Sequence, residues 1–120
     1  NAAVNGEYLK GKINELAKHS EIIGDVRGKG LFVGIEFVAD KMTKEPFAKK
    51  CDVVNKVVQA NFAEGLLVYP ANAGVGGLTG DAVILSPPLT MTKAVIDDLV
   101  ERFTQSLRMV ESKLVKEAIQ

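Results

Sequence analysis

The chain has 120 residues, 47% of them hydrophobic and 25% charged, which is the length and composition of one small globular domain. Its 15 basic and 15 acidic side chains cancel, and no basic block that could follow a phosphate backbone occurs, so we expect no nucleic-acid partner. No apolar run approaches the roughly 20 residues that cross a bilayer, and the first residues lack a signal-peptide pattern, so we expect no membrane partner. A single cysteine fits a reducing compartment, and we expect a cytoplasmic protein. Because the first residue is Asn1 rather than Met, we also expect a piece of a longer protein.

The first predicted element is a helix over residues 4–18. Gly6 and Gly11 interrupt its apolar pattern, and each glycine costs about 1 kcal/mol relative to alanine in a helix interior. Such a helix has little stability of its own, so we expect it to pack against the rest of the chain. Its apolar positions are Val4, Tyr8, Leu9, Ile13 and Leu16.

Residues 23–38 predict two strands joined by a glycine turn. Gly28 and Gly30 flank a lysine, and the absence of a Cβ at both places allows a tight turn. In the second strand the odd positions from 31 to 37 are all apolar and predict a core face, whereas the even positions are mixed. Gly34 lies on the mixed face, where another backbone or a ligand can come close.

A second helix is predicted to begin at Pro46, because the first helical turn tolerates a residue without an amide donor. Apolar residues then step by three or four positions, which is typical of an amphipathic helix. The predicted stripe consists of Phe47, Cys51, Val54, Val58 and Phe62. Gly65 is expected to end this helix in a left-handed conformation.

Two further strands are predicted at residues 66–69, stopped by Pro70, and at residues 82–85. Between them, residues 71–81 contain four glycines and no periodic pattern, which predicts a mobile loop.

The last predicted helix is the longest element. Thr92 is expected to cap its start, and the tail after Val115 is expected to fray. Its apolar stripe consists of Ile96, Leu99, Val100, Phe103, Leu107, Val110 and Leu114.

The order helix, strand, strand, helix, strand, strand, helix predicts an α+β fold. Short turns between neighbouring strands favour a mostly antiparallel sheet of about four strands. We expect the helices to pack on one face of this sheet, preceded by the N-terminal helix.

Several short motifs occur in a fixed order. VRGKGL at residues 26–31 opens the hairpin, GLL at residues 65–67 leads into a strand, and GD at residues 80–81 precedes a strand that ends in SPPL at residues 86–89. Together with the helix that a threonine introduces, they resemble the C-terminal part of class III aminotransferases of the aspartate aminotransferase fold type. The resemblance covers most of the chain.

The resemblance implies that residues 1–20 are an interdomain helix and residues 21–120 are the small domain of such an enzyme. It also implies that pyridoxal 5'-phosphate is held mainly by a large domain of the same chain, which carries the Schiff-base lysine. We therefore expect no catalytic residue, cofactor-binding residue or metal ligand in these residues, and no activity of the piece alone. The whole enzyme is expected to be a homodimer that moves an amino group from an amine or amino acid to a keto acid, and this domain is expected to shape the substrate side of its cleft.

Two positions depart from the family pattern. In several family members an arginine in the strand after GL grips the substrate carboxylate, and Tyr69 occupies that place here. In other members an arginine lies in the strand after GD, where this chain has Ile84. Tyrosine cannot copy a guanidinium fork. Tyr69 is either a substrate-binding residue or an ordinary tyrosine at a strand end.

The remaining candidates have structural interpretations. We expect Arg27 to pair with Asp25 or Glu36, and Lys29 to be a solvated turn residue rather than a nucleophile. A lone histidine, His19, and the single cysteine are expected to be structural.

Glycines at positions 74–80 could suggest a phosphate cradle, but they precede a strand, whereas phosphate-binding glycine loops lead into a helix. Two rival functions remain open at this point. One is a free-standing α+β ligand-binding or regulatory module that uses this loop, and the other is a subunit-association domain without a ligand.

Overall fold

The helices and strands follow one another in the predicted order. The computed structural model describes residues 2–29, 32–66, 68–71, 81–85 and 92–119. The elements are α1 (Ala2–Lys18), β1 (Ile23–Lys29), β2 (Phe32–Phe37), α2 (Val53–Ala63), β3 (Tyr69–Ala71), β4 (Asp81–Leu85) and α3 (Lys93–Ile119).

The strands form one antiparallel sheet in the order β1-β2-β4-β3. Strand β2 is central, and its odd residues Val33, Ile35 and Phe37 are buried, as their alternation predicts. Together with the helices, this arrangement confirms the α+β fold.

The helices share one hydrophobic core with the sheet. Helix α1 packs against β1 and β2, α2 packs against β3 and β4, and α3 lies against both other helices. Leu9 and Ile13 of α1 are fully buried, and so is Phe103 of α3. Helix α1, which was expected to need tertiary packing, therefore obtains it from the same hydrophobic core that packs against the sheet.

The predicted start of the second helix is wrong. Helix α2 begins at Val53, not at Pro46, and residues 49–51 form a separate 3₁₀ turn before it. Asp52 lies between the two with a φ of 50°, in the left-handed region that breaks a right-handed helix. The face that α2 buries also differs from the predicted stripe. It consists of Val53, Val57, Ala60 and Asn61, whereas Phe62 of the predicted stripe is exposed.

The end of α2 confirms the prediction for Gly65, whose φ is 83°. The amide of Gly65 donates to the carbonyl oxygen of Phe62 at 3.0 Å. The amide of Leu66 donates to the carbonyl oxygen of Asn61 at 2.8 Å. These two bonds form a Schellman cap, which satisfies carbonyl groups that a helix end leaves without partners.

Two boundaries in the sheet differ from the predictions. Strand β3 begins only at Tyr69 and includes Pro70, because an edge strand has one side on which no amide donor is needed. Gly28 lies within β1, opposite Val33, rather than in the turn. Gly30 and the predicted loop at residues 72–80 lie outside the described residues.

Helix α3 begins as predicted. The Oγ1 atom of Thr92 accepts a hydrogen bond from the amide of Val95 at 3.3 Å. The helix continues to Ile119, and fraying after Val115 stays a prediction. Among the described residues, no helix is long and apolar enough to cross a membrane.

Candidate functional site

Four residues that the sequence singled out lie in one row across the sheet. Arg27 is opposite Gly34, Gly34 is opposite Ile84, and Ile84 is opposite Tyr69. Opposed residues on antiparallel strands project to the same face, and the odd residues of β2 on the other face are buried. This set, which we call the transverse row, therefore lies on the sheet face directed away from the helices.

Arg27 at one end of the transverse row is held by a carboxylate two residues before it. The Nε atom of Arg27 donates to Oδ2 of Asp25 at 2.6 Å, and Oδ1 of the same carboxylate accepts the amide of Val26 at 2.9 Å. The predicted pairing with Asp25 is present. Both side chains are partly exposed, so the pair orients the guanidinium but adds little to stability.

Glycine is required beside Arg27 for a physical reason. A Cβ built on Gly28 would lie 2.3 Å from the carbonyl oxygen of Phe32, closer than any carbon atom can approach. This contact is with main chain, which cannot move aside without disturbing the pairing of β1 and β2. Gly28 therefore permits the two strands to approach closely at the tip of the hairpin.

Tyr69 lies at the other end of the transverse row. Its side chain is 55% exposed, because β3 is an edge strand with β4 on one side. The ring has Ile84 as its cross-strand neighbour. This position offers an aromatic face and a hydroxyl group to a ligand, and it offers no fixed positive charge.

The transverse row lies near one end of the molecule, which we call the tip end. The tip end holds Lys29 and Phe32 at the hairpin, Tyr69 at the start of β3 and Leu85 at the end of β4. Helix α1 ends just before β1 begins and packs along it, so the first residues of α1 also point to this end.

A polar cluster joins α1 and α3 near the tip end. The hydroxyl of Tyr8 donates to Oδ1 of Asp97 at 2.6 Å, and Nζ of Lys12 lies 3.3 Å from the same oxygen. The ammonium groups of Lys12 and Lys93 lie 5.5 and 5.2 Å from the centre of the Tyr8 ring. Sequence reasoning missed this cluster because its partners are 89 positions apart and share no local pattern.

The cluster shifts the pKa values of its members in a consistent way. The hydrogen bond from Tyr8 and the attraction of Lys12 lower the pKa of Asp97. The same hydrogen bond raises the pKa of Tyr8, and the bond to Asp97 raises the pKa of Lys12. Each shift favours the state in which Asp97 is charged and Tyr8 is protonated.

A second polar cluster closes the opposite end, which we call the base end. The Oγ of Ser20, which is buried, donates to Oε2 of Glu111 at 2.8 Å, and Arg108 donates to the carbonyl oxygen of His19 at 3.1 Å. Nζ of Lys41 donates to two carbonyl oxygens where α1 ends, at 2.7 and 2.8 Å. A cavity of about 860 Å³ adjoins these residues. Their polar side chains are already engaged in the hydrogen bonds just described.

Two partly buried lysines among the described residues are bound to main chain, which bears on whether they could hold pyridoxal phosphate. A Schiff base requires a free amine, with an acid for the pyridine nitrogen and a cradle for the phosphate. Lys41 and Lys56, which are partly buried, both donate hydrogen bonds to main-chain carbonyl oxygens. Within the part of the chain that the structure describes, no three histidine, cysteine, aspartate or glutamate side chains are grouped to hold a metal ion.

Comparison with known proteins identifies the family. The sequence pattern of the class III aminotransferases matches residues 1–107. YodT, an uncharacterised aminotransferase of Bacillus subtilis, is 43% identical over 93% of this chain and 25% of its own length. A taurine–pyruvate aminotransferase of Rhodobacter capsulatus is 42% identical over 90% of this chain and 23% of its own length.

Solved structures give the same result. A transaminase from the marine bacterium Virgibacillus superposes with a TM-score of 0.86 at 26% identity, over 94% of this chain and 25% of the other. An (S)-enantioselective omega-transaminase from Thermomicrobium roseum superposes with a TM-score of 0.76 at 33% identity, over 91% of this chain and 22% of the other. The chain thus spans about a quarter of the length of the relatives that it matches. It belongs to the class III aminotransferase family.

Proposed function

We propose that this chain is the C-terminal small domain of a pyridoxal-phosphate-dependent class III aminotransferase. Residues 21–120 form the domain, and residues 1–20 are the helix that connects it to a large domain of the same chain and completes its core. The observation that carries the proposal is the family match over residues 1–107. The share of about a quarter in each relative supports the view that a larger domain completes the enzyme.

The reaction that we propose for the whole enzyme is transfer of an amino group from an amine or amino acid to a keto acid. Pyruvate is the acceptor named for the taurine–pyruvate relative, and it is the first acceptor to test here. The family resemblance also leads us to propose a homodimer. The composition, with its single cysteine, leads us to place the enzyme in the cytoplasm.

The cofactor, when bound to the large domain, supplies the electron sink for amino transfer. The role of this chain is to shape the substrate side of the cleft. Tyr69 offers an aromatic wall and one hydroxyl to the substrate, and Ile84 beside it adds apolar surface. With these residues in place of arginine, the transverse row favours an amino donor whose far end is apolar or uncharged over one that ends in a carboxylate.

The whole enzyme and the isolated chain give different expected results. The full-length protein should show a Schiff-base absorbance band with pyridoxal phosphate and should transfer amino groups to pyruvate. Residues 1–120 alone, mixed with the cofactor, should form no stable lysine adduct. A lysine-linked adduct on the isolated chain would contradict the assignment of catalysis to another domain, and a full-length protein that neither binds the cofactor nor transaminates would contradict the proposed activity.

A further inference from the structure

We propose that the cavity at the base end binds a small organic carboxylate with an apolar body. The cavity, which we call the base cavity, has a volume of about 860 Å³, within the range of roughly 300–1,000 Å³ that small-molecule sites occupy. The proposal needs neither the cofactor nor the amino-transfer reaction, so it goes beyond the proposed function.

Four segments of the chain build the walls of the base cavity. They are the end of α1, the residues that lead into β1, the connection after β2 and the last turns of α3. Part of the lining is apolar, and there Phe47 and Leu114 are partly buried against the core while Val115 is exposed. A ligand that covers these side chains removes apolar surface from water, which favours binding. The apolar lining residues are Ile22, Ala39, Phe47, Leu114 and Val115.

The hydrogen-bond acceptors around the base cavity are largely occupied. Oε1 of Glu111 accepts from Arg108 at 2.8 Å, and Oε2 accepts from the hydroxyl of Ser20 at 2.8 Å and from the amide of Glu21 at 3.3 Å. Oδ1 of Asp40 accepts two amides of its own turn, at 2.8 and 3.2 Å. A ligand that brings hydrogen-bond donors, such as an amine, therefore finds few free acceptors here.

The cations around the base cavity, in contrast, keep N–H donors. Among the described residues, Arg108 donates only through Nη1, to Glu111 at 2.8 Å and to the carbonyl oxygen of His19 at 3.1 Å. Its Nε and Nη2 atoms carry further N–H groups, because a guanidinium has five in all. Lys41 uses two of its three N–H groups on main-chain carbonyl oxygens, and no residue that the structure describes pairs it with a carboxylate.

Spare donors beside apolar side chains define the chemistry of the ligand. A carboxylate accepts two parallel hydrogen bonds from a guanidinium, and such charge-assisted bonds are roughly twice as strong as neutral ones. The side chain of Arg108 is 48% exposed, so a ligand can reach it. An apolar body attached to the carboxylate covers Phe47, Leu114 and Val115. A small inorganic anion or a neutral apolar molecule would use only one of these two features.

Local labelling of the full-length protein tests the proposal. Val115 lines the base cavity and is 60% exposed, whereas Met109 lies on the same helix outside the cavity and is 48% exposed. In a background whose native cysteines are serine, we expect saturating hexanoate to slow the reaction of Val115→Cys with maleimide at least about fivefold, because a bound ligand covers the site. The reaction of Met109→Cys should not change. Hexanol, which lacks the charge, and acetate, which lacks the apolar body, should give little protection at the same concentration.

Two arginines of α3 provide a matched pair of variants. Arg108 and Arg102 are 48% and 46% exposed, and each pairs with a carboxylate of the same helix and donates to a main-chain carbonyl oxygen. Of the two, Arg108 lines the base cavity. Arg108→Gln should raise the hexanoate concentration that half protects Val115→Cys at least about tenfold, because a charge-assisted hydrogen bond is lost. Arg102→Gln should change this concentration less than about twofold.

Each contrary result would overturn the proposal. Failure of hexanoate to protect Val115→Cys would show that the base cavity binds no such ligand, and equal protection by hexanol would show that the carboxylate is not recognised. A Val115→Cys protein that does not react even without hexanoate would show that a protein segment fills the cavity. The comparison of hexanoate, hexanol and acetate keeps both arginines, so it decides the question even where Arg108→Gln fails to fold.

Discussion

Tyr69 combines an exposed aromatic ring with a hydroxyl at the end of the transverse row. We predict that Tyr69→Ala in the full-length enzyme lowers kcat/KM for the amino donor roughly fivefold, because an aromatic contact is worth about 1 kcal/mol. Tyr69→Phe should retain most activity if the ring makes the contact. Phe62→Ala is a matched control, since Phe62 is also an exposed aromatic side chain but lies on α2, outside the row. Equal kcat/KM values for Tyr69→Ala and Phe62→Ala would contradict a role in substrate binding.

The cluster of Tyr8, Lys12 and Asp97 predicts a specific pH dependence. The lowered pKa of Asp97 means that its contribution is present above the ordinary value of 3.8 and is lost as the pH falls through the lowered pKa. The raised pKa of Tyr8 means that its contribution is present below 10.0 and is lost as the pH rises through the raised pKa. The difference in unfolding free energy between wild type and Tyr8→Phe should therefore be largest between these limits.

A double-mutant cycle between Tyr8→Phe and Asp97→Asn isolates this interaction. Urea unfolding at several pH values supplies the free energies. If Tyr8→Phe has the same pH dependence in the Asp97→Asn background, the two side chains do not interact as the structure shows.

At the scale of single elements, the end of α2 depends on one backbone conformation. Gly65→Ala should lower the free energy of unfolding by about 1–2 kcal/mol, because an L residue at a φ of 83° is strained. The new Cβ would also lie 3.1 Å from Nη1 of Arg102, which donates to the carbonyl oxygen of Glu64 at 2.7 Å. Denaturant unfolding measures the change.

Gly11→Ala is the matched control for Gly65→Ala. Gly11 lies in the interior of α1, and a Cβ there meets no atom within 4 Å. This substitution should raise the free energy of unfolding by up to about 1 kcal/mol, since alanine is the better helix former. A loss of stability at Gly11 similar to that at Gly65 would show that both positions respond to added volume and not to backbone conformation.

At the scale of the whole molecule, α1 is part of the core and not an appendage. Leu9 and Ile13 of α1 are fully shielded from solvent and belong to the one hydrophobic core that the sheet and the helices share. We predict that Ile13→Ala costs about 2–5 kcal/mol and that residues 21–120 alone do not unfold cooperatively. Val4→Ala, at an exposed position of the same helix, should change stability by less than about 0.5 kcal/mol. Cooperative unfolding of residues 21–120 would contradict this prediction.

The sequence by itself determined the order of the elements, the core face of β2, the stripe of α3 and the cap at Gly65. These features depend on local periodicity and on the conformations that glycine permits, and both can be read along the chain. The family motifs are also local, so they could be recognised before the fold was known. The position of the chain within the enzyme and the role of Tyr69 stay predictions.

Only the tertiary structure decided which residues share a surface. The start of α2 moved to Val53 because Asp52 breaks the helix, and no pattern of apolar residues reports a left-handed residue. The transverse row and the Tyr8 cluster both join positions that are far apart in the chain. Their partners are set by strand pairing and by the parallel packing of α1 and α3, which lower the free energy only once the whole core has formed.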